Sequence, residues 1–176
     1  MREVTLLLHF IGLGLLVTTM LGGFLMHRQY RKAPDLRTKA LILKTARPFG
    51  LLSPIAMLLM LVTGIGNMHG IGIGIVQTII GSRNLLLTQS LEGIDFWWLS
   101  AKLVFFAVAF AAGIVLGIFA KKRGTLVHAM SLGDAGPDAG ARLALYDSIL
   151  TAGHIIMPVL LITILYLSVH GRLGGQ

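Results

Sequence analysis

Long apolar stretches separated by short polar ones run the length of this chain. Four of them reach the roughly 20 residues that carry a helix across a bilayer. They span 4–25, 49–68, 96–120 and 145–170, the last most apolar over 149–169. The pattern predicts an all-α bundle of four transmembrane helices, with residues 1–176 forming a single integral membrane domain. The first stretch is about twice as long as an ordinary signal-peptide core. It ends in His-Arg-Gln-Tyr-Arg-Lys and not in a small-residue cleavage site, so it reads as a retained span.

The polar stretches set the expected direction. Arg28, Arg31, Lys32, Arg37, Lys39, Lys44 and Arg47 lie between the first and second spans, and Lys121, Lys122, Arg123 and Arg142 between the third and fourth. The connection between spans two and three holds only Arg83. Basic connections stay in the cytoplasm, so both termini are expected to face outward, into the periplasm of a bacterial inner membrane. The connection 70–95 is unusually apolar, with GIGIGIV at its start. It reads as an interfacial segment or as a cover for another membrane subunit.

Composition agrees with this pattern. Of 176 residues 55% are hydrophobic and 12% charged, and the mean hydropathy is +0.83. Topology accounts for the net charge of +8 without a nucleic-acid partner. The absence of cysteine excludes disulfides, thiolate metal ligands and thiol catalysis. No paired carboxylates, no nucleophile beside a base, no P-loop and no dinucleotide fingerprint are present. Gly12, Gly14, Gly22 and Gly23 in the first span, and Ala107, Ala109, Ala111, Ala112 and Gly113 in the third, suit close helix packing in lipid. Pro54 and Pro158 fall inside spans, where a proline frees a carbonyl and opens room beside the helix.

Embedded polar residues are the candidates for chemistry. At about 1.5 Å per residue His9 lies about 7 Å, and Lys102 about 9 Å, from the outer ends of their spans. Thr63, Asn67 and Tyr166 share that layer. Lys102 has no carboxylate inside the apolar cores. It therefore either extends outward toward Asp95 or faces, with His9, a pocket for an anionic ligand such as the propionates of haem. Two axial imidazoles must stand at one depth, and His154 is about 15 Å deeper than His9 by the same rise. An outer haem site would use His9 with Met68, His69 or His170. An inner one would use His154 with Met20, Met57 or His27. Met157 follows His154 by three residues, so the two share a helix face. That donor pair suits haem iron or copper, or packs as an ordinary core pair. His27 and His128 adjoin basic stretches and are expected at the interface.

Three segments carry a family resemblance: LLHFIGLGLLVTTMLGGFLMH, ARPFGLLSPIAMLLMLVTGIGNM and IDFWWLSAKLVFFAVAFAAGIVLGIFAKKR. They resemble the CopD-like superfamily of small bacterial membrane proteins, which includes the HemJ-type protoporphyrinogen oxidases. The resemblance covers spans one to three and rests most on His9 and Lys102. It implies b-type haem and porphyrinogen chemistry in HemJ-like members, and copper handling in CopD-like ones. The expected function is haem b binding by His9 and Lys102, with His154, Tyr166 and His170 as further cofactor contacts, in a small electron-transfer or accessory subunit. Copper held by Met68, His69, His9 and His170 is the alternative, and a non-catalytic accessory subunit is a third reading.

Overall fold

The computed structural model describes residues 2–69 and 97–173. Among them are four helices: α1 (Arg2–Lys32), α2 (Leu36–His69), α3 (Trp97–Leu132) and α4 (Ala139–Leu173). All four are long and apolar enough to cross a membrane. The side chains of Met68, His69 and His170 lie outside the described residues, as does the whole of 70–96. The expected interfacial or subunit-covering segment therefore falls there.

The helices are longer than the apolar spans. A helix of 34 residues such as α2 is about 50 Å long at ~1.5 Å per residue, against about 30 Å of hydrocarbon. The surplus lies at the end of the bundle that carries the two short connections. The basic residues read above as connections are therefore mostly helical, from Arg28 to Lys32 in α1, Arg37 to Arg47 in α2 and Lys121 to Arg123 in α3. Nothing in those stretches breaks a helix, since lysine and arginine are good helix formers. Pro48, at the start of the second apolar span, is also accommodated inside α2.

Among the described residues the helices break where the sequence supplies stop and start chemistry. Ala33, Pro34 and Asp35 join α1 to α2. The Thr38 backbone N–H and hydroxyl both donate to the Asp35 carboxylate, at 2.8 Å each, an N-cap for α2. These bonds, the backbone one first, hold the Asp35 carboxyl below its usual pKa. A carboxyl depressed in the fold adds stability above its ordinary pKa and loses it as pH falls through the depressed value. At the other connection Gly133 adopts φ 82°. Its N–H bonds the Met130 carbonyl, and the Asp134 N–H bonds that of Ala129. This is the paired closure that terminates a helix on a left-handed glycine.

The chain folds as two helical hairpins, α1 on α2 and α3 on α4; α2 also packs on α3 and, more sparsely, α1 on α4. Two apolar clusters mark the inner faces. One surrounds Leu16, Ala56 and Met57 at mid-length. The other surrounds Tyr30, Val127 and Leu143 near the connections. Outward faces carry exposed Leu7, Phe10, Leu51, Ile55, Leu58, Val104, Ile155 and Ile162. So much exposed hydrocarbon fits contact with lipid. Close approach within the first hairpin depends on two glycines. A methyl group at Gly12 would stand 3.2 Å from Met60 Cγ, and one at Gly22 2.5 Å from Phe49 Cε1. Gly14, expected to serve the same packing, faces open space.

Gly22→Ala must therefore displace the Phe49 ring, at a cost of about 1–3 kcal/mol, and should lower the thermal midpoint followed by helical circular dichroism in detergent. Gly14→Ala should leave the midpoint unchanged. Equal midpoints for the two variants would contradict this packing.

Candidate functional site

Polar groups gather in two places. The first lies at the end of the bundle that carries the chain termini. There His9 of α1 meets Thr63 of α2, with Nδ1 2.9 Å from Thr63 Oγ1. The Thr63 hydroxyl gives its proton to the Leu59 carbonyl at 2.6 Å, so its oxygen accepts from His9. This places the His9 proton on Nδ1 and leaves Nε2 as the lone-pair nitrogen. A bond from Nδ1–H to an oxygen is how proteins orient a metal-binding imidazole. Lys102 of α3 lies within electrostatic reach of the ring. Gly64 allows α2 close to the ring, since a methyl group there would stand 3.7 Å from His9 Cε1. Tyr166, placed in the same layer by the sequence, is 60% exposed on α4.

The second gathering is toward the connections, where the residue pattern carries a weaker signal. His27, expected at the interface, is only 7% exposed. Its Nδ1 accepts from Arg123 Nη1 at 3.3 Å, and its Nε2–H donates to Thr151 Oγ1 at 3.1 Å. Thr151 in turn donates to the Asp147 carbonyl at 2.7 Å, which leaves its oxygen to accept. Arg123, expected in a basic connection, is 6% exposed and pairs with Asp147 at 3.3 Å. The Tyr30 hydroxyl donates to the other Asp147 oxygen at 3.5 Å, and the Arg123 guanidinium lies 4.5 Å from the centre of the Tyr30 ring. The signals were present but divided among helices. His27 and Tyr30 share a face at i, i+3, and Asp147, Thr151 and His154 follow one another at i+4 and i+3.

Beside this cluster is a cavity of about 410 Å³ between the hairpins. His27, Arg123 and His154 form its polar end, and Met20, Met26, Met57 and Met157 contribute thioethers. Pro54 and Pro158, expected to open room, both line it. A methyl group at Gly23 would stand 3.7 Å from His154 Cε1, and one at Gly113 3.4 Å from Met57 Sδ. The His27 and His154 rings are 4.6 Å apart, centre to centre, and tilted by 41°. Two imidazoles on one iron need centres about 6 Å apart, given metal–nitrogen bonds of about 2 Å on each side. These two rings therefore do not bracket a porphyrin. The depth argument stands otherwise, since His9 and His154 belong to different gatherings.

Among the described residues no group of three or more His, Asp or Glu side chains is placed to hold a metal ion. The Met68, His69 and His170 donors proposed for copper lie outside the described side chains. Comparison with protein-family models, with characterised proteins and with solved structures gives no match.

Removing one member of the Arg123–Asp147 pair leaves a charge uncompensated. Asp147 is 30% exposed, which moderates the effect, so Asp147→Asn should cost about 1–3 kcal/mol. The double variant Arg123→Met, Asp147→Leu should recover most of that loss in a thermal melt. A double variant no more stable than Asp147→Asn would contradict the pairing.

Proposed function

We propose that the chain is a haem b-binding protein of the bacterial inner membrane, with His9 as an axial ligand and Lys102 as the partner of a propionate. The observation that carries this reading is the His9–Thr63–Leu59 arrangement, which presents Nε2 as a ligand nitrogen within reach of the Lys102 charge. An imidazole for the iron and a cation for an acid group are the donor set that haem requires. These are also the two positions on which the CopD-like resemblance chiefly rests. Bound haem would supply a one-electron couple. The protein's own part is to fix the imidazole tautomer through Thr63 and to balance the acid group with Lys102.

The direction in the membrane follows from charge. Arginines and lysines concentrate at the connection end of the bundle, so that end is cytoplasmic and the His9 end faces outward. Propionates near the outer boundary reach water as well as Lys102, which limits the cost of bringing them into the bilayer. Small size and a single ligand position suit an electron-transfer or accessory role beside other membrane subunits.

Protein purified in mild detergent from haem-replete cells should show a Soret band. That band should vanish in His9→Ala and persist in His154→Ala. Lys102→Met should retain the pigment at reduced occupancy, and Thr63→Val should retain it with an altered reduction potential. A colourless wild-type preparation, or a band unaffected by His9→Ala, would overturn the assignment.

A further inference from the structure

The cavity between the hairpins plays no part in the His9 site and has a chemistry of its own. Its volume, about 410 Å³, is in the range of pockets that enclose a small organic molecule. One end is polar. The rest is thioether, aliphatic and aromatic surface, including Phe49 and Phe110.

Arg123 defines the polar end. Its guanidinium face rests on Tyr30, and Nη1 serves Asp147 and His27. The Nε atom is buried with no hydrogen-bond partner. A buried N–H of this kind is unfavourable until an acceptor reaches it. His154 also lines the cavity, and among the described residues no hydrogen bond engages its ring nitrogens. A neutral imidazole offers one donor and one acceptor. Pro54 and Pro158, which line the same cavity, lack the N–H groups that would bond the carbonyls of Gly50 and His154, four residues earlier.

Charge narrows the choice of ligand. Arg123 and Asp147 cancel, and the hydrogen-bond pattern around His27 is that of a neutral ring. A carboxylate entering this largely apolar cavity would have to shed its hydration, a large cost for a charged group. A carbonyl oxygen satisfies Nε–H without that cost. The matching ligand is apolar and flat, carries carbonyl oxygens, and reaches the site from lipid. We propose that the cavity binds the head group of a lipid-soluble quinone, with one carbonyl oxygen accepting from Arg123 Nε–H and the ring covered by the methionines and phenylalanines. His154 supplies an acceptor for a hydroxyl of the reduced, quinol form. The site is independent of the His9 reading.

Calorimetric titration of the purified full chain in detergent with decylubiquinone tests this. The expected result is saturable binding at one site per chain. Gly117 and Gly50 both line the cavity, and an added Cβ at either meets nothing within 4 Å. Gly117→Leu and Gly50→Leu should therefore fill the space and weaken binding at least tenfold, with helix content and elution volume unchanged. Arg123→Lys, which keeps the charge opposite Asp147 but removes Nε–H, should weaken it about tenfold. His9→Ala should leave quinone affinity intact even as it removes the Soret band, so the two readings fail separately. Absence of saturable binding by folded wild-type protein, or wild-type affinity in both leucine variants, would overturn the proposal. Competition by hemin that depends on His154 but not on His9 would assign the cavity to haem and overturn it as well.

Discussion

In lipid or in a packed helix interior no water completes the hydrogen bonds of a buried polar group, so every such group must find its partner inside the protein. That constraint organises this bundle. Arg123 can sit 6% exposed because Asp147, His27 and Tyr30 converge on it from α4 and α1. Thr63 can face α1 because it returns its proton to the preceding turn and accepts from His9. The same rule makes Arg123 Nε conspicuous as the buried polar side-chain atom left without an acceptor among the described residues.

Two hydrogen-bond patterns around histidine give the two gatherings different capacities. At His27 both ring nitrogens are committed, one to Arg123 and one to Thr151. That ring is a structural bridge between α1, α3 and α4. At His9 the Nδ1 atom is tied to Thr63, and the ring also meets the Met60 backbone and the field of Lys102. The buried His27 ring locks helices together, whereas the partly exposed His9 ring is the one proposed as a ligand. The proposed haem and quinone sites sit on opposite sides of this distinction, at the two ends of α1.

Much of the architecture was legible in the chain because hydrocarbon length is a strong signal. The four spans and the pairing of Pro54 and Pro158 with open space followed from residue spacing. The helix ends did not. Lys121, Lys122 and Arg123 look like a solvent-facing exit, yet α3 continues to Leu132, since basic residues mark a membrane boundary without ending a helix. Arg123 was misplaced for that reason, and with it the role of Asp147, which stands just outside the most apolar part of its span. His27 was read by its basic neighbours, when the deciding fact was its rotation toward α4. Rotation about a helix axis is fixed by tertiary packing, here by Gly22 against Phe49 and Gly23 against His154, and no single helix records it.

The distribution of protons between the two ends of α1 is therefore the central claim. Nitrogen-15 NMR of histidine-labelled, metal-free protein in lipid nanodiscs reads it directly. His9 should carry its proton on Nδ1 and His27 on Nε2, both rings neutral at pH 7. The same tautomer at both positions, or a His27 ring protonated on both nitrogens, would contradict the account.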